Sequence, residues 1–351
     1  MRAFACTNCG QLAYFENVRC ESCGSELGFR PDTLEITALR PLEDGSGGYA
    51  AIGDEQVHVQ HCSNHQTAAC NWLTPPGPPG LCEACALGRR IPDLNLPENV
   101  ALWREAEVAK RRLVYALKRL RLPLARPDGA PLVFDILSDA GEGQPVLTGH
   151  DDGLITINLA EADPAERERR RSDLGEVYRT LLGHFRHEVG HFYWDALVRD
   201  GGRVEAFREL FGDDRLDYGA ALRNHYENGA PGDWQMSFVS PYATMHAWED
   251  FAETWAHYMH IVDALDTAAA FGLRVKPEAS SDPTLAARVQ GDPYAAETMA
   301  ALIGDWLPLC YAVNSLNRSM GQQDLYPFVL SEPAIAKLGY VHELIKEAAL
   351  G

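Results

Sequence analysis

After residue 85 the chain has almost no cysteine: eight of its nine cysteines come before that point, and Cys310 stands alone. Positive charge is also scarce, since 31 Lys and Arg face 50 Asp and Glu for a net charge of -19. That balance argues against a chain whose main task is gripping phosphate backbones, because such affinity comes from Lys and Arg displacing counterions. No run of about 18 apolar residues is present to span a bilayer. The opening stretch MRAFACTNCGQLAYFENVRC also holds no apolar core of a signal peptide. The expectation is a soluble, cytoplasmic protein with no membrane partner and with nucleic acid disfavoured. Two basic stretches, WREAEVAKRRLVYALKRLRL and ERERRR, are interleaved with acids or apolar residues and read as solvated helix faces. With 351 residues, 46% of them hydrophobic, the chain can bury a sizeable core and hold one large domain with one or two small ones.

The cysteines that are present form a pattern. CTNCGQLAYFENVRCESCG places Cys6, Cys9, Cys20 and Cys23 as C-x2-C-x10-C-x2-C, with Gly10 and Gly24 after the pairs. Each CxxC turn aims two thiolates at one ion, and four thiolates close a tetrahedral zinc shell with no position left for substrate. A wider second group, Cys62, Cys70, Cys82 and Cys85, flanks the loop TPPGPPG, with His61 and His65 near enough to substitute as ligands. Ordering such a loop costs backbone entropy that a metal cross-link would offset, so a second structural zinc, all-cysteine, is expected. Between the groups, TLEITALRPL and YAAIGDEQVHVQ alternate like β-hairpins. In a reducing compartment, paired cysteines of this kind mean metal rather than disulfides. Cys310, in WLPLCYAV, reads as a buried structural thiol.

The turn-rich IPDLNLPENV suggests a boundary, giving a zinc-ribbon module over residues 1–92 and a second domain over 93–351. A long helix is expected from Pro97 to Leu122. Short extended candidates PLVFDILSD, QPVLTG and GLITINL then suggest a small antiparallel sheet. RSDLGEVYRTLLGHFRHEVGHFYWDALV reads as one long helix opened by an Asp173/Glu176 capping box. Further helices are expected at His246 to Val262, at Pro293 to Arg318 after a cap at Asp292, and at Pro333 to Ala349 after a cap at Ser331.

Within the long helix, His187, Glu188 and His191 form HExxH. Residues four apart share a helix face, so both imidazoles reach one metal, with Glu188 beside the remaining coordination position. A catalytic zinc usually takes three protein ligands, and no glycine breaks the helix after His191 to return a third histidine. Asp195, one turn further along, reads as an outer hydrogen-bond acceptor rather than a ligand. The third ligand is therefore expected from SPYATMHAWEDFAETWAHYMH, where Glu249 and Glu253 lie on one face and Asp250 is a further candidate. His150, His184, His246 and His257 read as structural or solvated.

HEVGH followed by Tyr242, Glu249, Phe251, Ala252 and Glu253 resembles the Y-x6-E-x-F-A-E pattern of lethal-factor-type and Pro-Pro endopeptidase zincins. That resemblance implies Glu249 as third zinc ligand (a gluzincin-like set), Tyr242 as oxyanion donor and Glu253 as support behind the site. Nearly the whole chain is also similar to a bacterial family of zinc-binding metallopeptidases that join a zinc-ribbon module to an HExxH domain, through the CxxC pairs, ACNW, LCEACALGRRIPDL, HEVGHFYWD and EDFAET. The fold this implies is α+β: a zincin-like, mainly helical domain with a small antiparallel sheet, preceded by a small β zinc-ribbon module. It implies one catalytic and two structural zinc ions, Glu188 as general base, and a peptide or protein substrate, the ribbon recruiting substrate or partner. The strand GLITINL would offer its edge to an extended peptide. The competing expectations are a zinc-binding scaffold with a non-catalytic or latent HExxH domain, and a nucleic-acid-associated peptidase.

Overall fold

Short alternating segments punctuated by glycine turns build the start of the chain, and periodic apolar segments build helices from Pro97 onward. The computed structural model describes residues 2–139, 145–173 and 176–350. It divides into two compact units: Met1–Arg119 with Val133–Thr148 and Thr156–Glu166, and Leu120–Leu132 with Gly149–Ile155 and Arg167–Gly351.

In the first unit a small hairpin, β1 (Phe4–Ala5) with β2 (Leu12–Ala13), precedes a five-stranded antiparallel sheet. Its strands β3 (Glu26–Arg30), β4 (Glu35–Pro41), β5 (Tyr49–Ala51), β6 (Asp54–His61) and β7 (Leu73–Thr74) pair in chain order. The sheet curls: Phe29 of β3 forms a bridge with Trp72, and its N–H donates to the Asn71 carbonyl at 2.7 Å. A one-turn helix α1 (Glu83–Ala86), strand β8 (Gly88–Arg90) and the long helix α2 (Pro97–Arg119) follow. Phe15, Phe29 and Trp72 pack with Tyr115 of α2 in one aromatic cluster. The compact unit therefore runs past the expected boundary at residue 92, because α2 contributes Val114 and Tyr115 to the core that surrounds the cysteines.

The basic stretch on α2 is a solvated face only in part. Lys110 and Arg111 are buried, Arg111 donating to the Ala68 carbonyl at 3.3 Å and Arg104 to the Thr67 carbonyl at 2.8 Å, so α2 holds the loop between Cys62 and Cys70. The other basic run lies on α3 (Pro164–Asp173), which buries no residue.

Two of the extended candidates, PLVFDILSD and GLITINL, become β9 (Val133–Leu137) and β11 (Leu154–Asn158), while β10 (Gly149–Asp151) shares only Gly149 with the third, QPVLTG. Pro145 to Thr148 form no strand, and Gln144 lies outside the described residues. β9 pairs in parallel with β8: the chain crosses the whole length of α2 between the two strands, so the second can run in the same direction as the first. Strand β11, the GLITINL segment, lies between β10 and β9. Its edge is covered, and the outer strand is β10.

In the second unit the long helix opens at Leu181 rather than near Asp173, because Thr180 accepts from the Gly183 N–H at 3.0 Å and caps it; the segment between α3 and this helix includes residues 174 and 175, which lie outside the described residues. This helix, α4 (Leu181–Tyr193), runs on into a wider π-type turn at Trp194–Arg199. Then come α5 (Val204–Phe211), α6 (Tyr218–Asn228), α7 (Ala247–Ala270), the pair β12 (Arg274–Val275) and β13 (Ala287–Arg288), α8 (Met299–Ser319) and α9 (Glu332–Ala348). Asp292 caps only a short 3-10 turn at Pro293–Ala295, and α8 starts on its own cap, Thr298. Ser331 caps α9 as expected. By length and composition α8 could cross a membrane, yet its Leu302, Ile303, Trp306 and Leu309 are buried against the unit. Cys310 is also buried there, and burial pushes its thiol pKa up to about 11.

The position of the site depends on how α4 packs on α7. A Cβ on Gly190 would stand 2.9 Å from the Ala252 Cα, so glycine is what allows the two backbones this close approach. Arg186 of α4 is tied to Asp263 and, at 2.6 Å, to His260, both on α7, which locks the crossing a little further along.

Candidate metal centre

The i, i+4 spacing on α4 brings the Nε2 atoms of His187 and His191 to 3.2 Å. Glu249 sits in the first turn of α7, whose N-cap is His246, its ring accepting from the Trp248 N–H at 3.1 Å. The Glu249 Oε2 lies 2.9 Å from His187 Nε2 and 3.4 Å from His191 Nε2. His187 Nδ1 lies 2.7 Å from Glu253 Oε1, a bond that in the neutral ring makes Nδ1 the donor and leaves Nε2 for a cation shared with Glu249. Ser240 donates to Glu253 Oε2 at 2.6 Å and holds that carboxylate in place.

These contacts test whether the residues suit a cation. Three electron-pair donors converge, with all ligand atoms within 4.8 Å of one another, and Glu249 Oε2 is buried with no hydrogen-bond donor among the described residues. Burial disfavours a charged His187, but the carboxylates of Glu249 and Glu253 outweigh it and hold its pKa well above the ordinary value. Burial likewise disfavours a charged Glu249, yet His191 and His187 pull its pKa well below the usual range. The pocket thus stabilises a positive charge at the point where the three groups meet, and two imidazoles with one carboxylate match the ligand chemistry of zinc. The residues fit the ion.

Glu188 is buried in the same place, near His187, His191, Glu249 and Glu253, and burial raises its pKa above that of an ordinary carboxylate. The Tyr242 ring lies 5.9 Å from that of His187, and burial, with Glu249 nearby, raises the pKa of its phenol. The other carboxylates of the expected set are engaged elsewhere. Asp250 forms a buried ion pair with Lys337 of α9 at 2.6 Å. Asp195 accepts from Arg199 at 2.8 Å and faces Arg126 at 3.6 Å; the π-type turn carries it to these arginines, and no bond joins it to His191. His257 is bound to Tyr326 at 2.6 Å.

Three neighbours of the site were not expected there from the sequence, which left His150 as structural or solvated. Tyr218 of α6 donates its hydroxyl to Glu249 Oε1 at 2.8 Å. Trp248 covers His191 with ring centroids 3.7 Å apart, and His150 of β10 lies 6.1 Å from His191 on a nearly parallel plane. Tyr218 precedes Glu249 by 31 residues with no helical or strand period linking them, so no local pattern could have singled it out.

Both cysteine groups assemble as expected. In a tetrahedron with Zn–S bonds of about 2.3 Å, the sulfurs stand roughly 3.8 Å apart. The separations are 3.8 Å for Cys6 and Cys23, 3.6 Å for Cys9 and Cys20, and 3.7 Å for Cys70 with both Cys82 and Cys85. None is a disulfide. Gly10 and Gly24 take positive φ of 77° and 73°, which turns their N–H groups back to the carbonyls of Cys6 and Cys20. Cys62 accepts from the N–H groups of Asn64 and Cys82 at 3.4 and 3.3 Å, bonds that favour a thiolate. All four cysteines of the second group are buried, and neither His61 nor His65 belongs to it.

Residues 99–344 match a family described as "putative zinc-binding metallo-peptidase", and residues 3–96 match a zinc-ribbon domain. The chain is 46% identical over 354 residues to an uncharacterized protein of Mycobacterium bovis, covering 99% of this chain and 96% of the relative. It has the same identity and coverage with uncharacterized proteins from two strains of Mycobacterium tuberculosis. No solved structure matches it.

Proposed function

The chain belongs to the zinc-binding metallo-peptidase family, and from that membership we propose that it hydrolyses peptide bonds at the centre formed by His187, His191 and Glu249. The observation that carries the reading is Glu188: a buried carboxylate with a raised pKa beside three convergent ligands, in a position that holding a metal does not require. Zinc held there supplies Lewis acidity and lowers the pKa of water to about 7. Glu188 takes a proton from the attacking water and returns it to the leaving amine as the C–N bond breaks and the new C–O bond forms. Tyr242 keeps its proton through the accessible pH range and donates to the carbonyl oxygen as negative charge develops on it. Glu253, fixed by Ser240, holds His187 in the tautomer that presents Nε2.

The substrate in this reading is an extended polypeptide that adds to the outer strand β10, so that backbone pairing rather than one side chain places the scissile bond. The ribbon unit recruits the protein substrate or a partner, and the cysteine-bound metals suit the reducing cytoplasm. The test is detection of new termini in a proteome-derived peptide library treated with the zinc-loaded protein or with Glu188→Gln. Termini generated only by the unmutated protein are expected. Identical libraries from the two would overturn the reading.

A further inference from the structure

A third group of metal-ligating side chains lies in the first unit, outside both cysteine clusters. Glu26 on β3, His61 at the end of β6 and His65 in the turn that follows bring one ligand atom each to within 4.8 Å of one another. We propose that Glu26, His61 and His65 form a separate binding site for a divalent transition-metal ion of the zinc type.

Four observations carry it. His65 Nδ1 donates to the Cys70 carbonyl at 2.8 Å, which fixes the tautomer with a bare Nε2 lone pair, as a metal-ligating histidine is fixed by an acceptor on its other nitrogen. His61 Nε2 lies 2.7 Å from Glu26 Oε1, much as His187 Nε2 lies 2.9 Å from Glu249 Oε2 at the first centre. The imidazoles of His61 and His65 stack at 3.9 Å with 17° between their planes, which aligns two ligands edge by edge. The far nitrogen of His61, Nδ1, is buried without a partner among the described residues, so this ring has given up hydration to point at Glu26. Tyr49 holds the ring from the side at 4.9 Å.

Two imidazoles and a carboxylate are a borderline donor set, suited to zinc and unlike the oxygen shell that calcium or magnesium takes. The three side chains are half-buried. With only three protein donors, the ion keeps a position open to water, unlike the cysteine sites. It would tie β3 to β6, strands that are not neighbours in the sheet and meet through side chains, and so pin the curl of the sheet beside the second cysteine cluster.

The test is zinc per chain, measured by elemental mass spectrometry on the full-length protein after equilibration in a zinc buffer, for the unmutated chain, Glu26→Gln and His65→Gln. Glu26→Gln is expected to lose one equivalent with an unchanged far-ultraviolet circular dichroism spectrum. In cobalt-loaded samples the thiolate-to-cobalt bands of the cysteine sites should be unaltered. His65→Gln should lose at least that equivalent, and more if the Cys70 carbonyl contact also supports the cysteine site. Equal zinc in the unmutated chain and Glu26→Gln would overturn the proposal whatever His65→Gln does. Peptidase activity does not enter this readout.

Discussion

The cysteine clusters and the HExxH centre gather zinc-type donors in two different ways. Around Cys62, Cys70, Cys82 and Cys85 every ligand is buried and all four positions of a tetrahedron are filled by sulfur, with Trp72 and Tyr115 in the surrounding core. Around His187, His191 and Glu249 three donors converge, with Glu188 buried nearby and the Tyr242 ring 5.9 Å from that of His187. A closed shell turns binding energy into fold, whereas an open one keeps a place for chemistry. The support differs as well. The Cys62 sulfur accepts from the backbone N–H groups of Asn64 and Cys82, while at the HExxH centre side chains lean on side chains: His187 on Glu253, Glu253 on Ser240, Glu249 on Tyr218.

The contrast breaks most visibly at the ligands. Cys82→Ser should unfold the first unit, since structural zinc is worth about 10–16 kcal/mol in small zinc peptides, comparable with a whole domain's stability. Limited proteolysis should then cut freely within Met1–Arg119. His191→Ala should lose the second unit's zinc while keeping its helical circular dichroism. If the two variants unfold alike, the distinction between structural and open sites is wrong.

Glu188→Gln sharpens the same contrast, because it should lower turnover by roughly a hundred-fold to ten-thousand-fold with zinc content unchanged. A parallel fall in bound zinc would mean that Glu188 helps to hold the metal instead. Removing the outer supports should cost less: Glu253→Gln is expected to weaken zinc binding at this centre by about ten-fold to a hundred-fold, read by competition with a chromophoric chelator.

Gly190→Ala tests the helix crossing directly. Its new Cβ meets Ala252 backbone at 2.9 Å, and overpacking of this kind costs about 1–3 kcal/mol, which a fall in thermal midpoint together with weaker zinc retention would register. The smallest effect is expected for Tyr218→Phe, which deletes one hydrogen bond to a carboxylate, about 1.5 kcal/mol or roughly ten-fold in zinc affinity. No change in affinity would assign Tyr218 to the cleft rather than to its ligand.

Much of this molecule was legible one segment at a time. HExxH, each CxxC turn with its glycine, the cap at Ser331 and the long helix on Pro97 are all short-range statements, fixed by the period of a helix or the φ of a turn, and the structure repeats them. The readings that failed were those in which a local pattern was trusted over a longer one. Asp173 looked like a cap, but Thr180 lies next to the first buried turn of α4. Lys110 and Arg111 looked solvated, but α2 lies on the cysteine loop and buries them. GLITINL looked like an edge, but β10 pairs outside it.

By itself the sequence determined which residue types could hold metal and on which helix face they stand, because those facts follow from neighbours in the chain. Only the tertiary structure separated Glu249, Asp250 and Glu253. They lie close together on α7, and the close crossing at Gly190 and Ala252 brings the first to the Nε2 atoms of His187 and His191, while Lys337 pairs with the second and His187 Nδ1 with the third. It likewise took the curl of the sheet, closed by Phe29 and Trp72, to bring Glu26 to His61 from 35 residues away. A spacing read along the chain cannot encode such meetings, because they are set by where two separately folded surfaces come to rest.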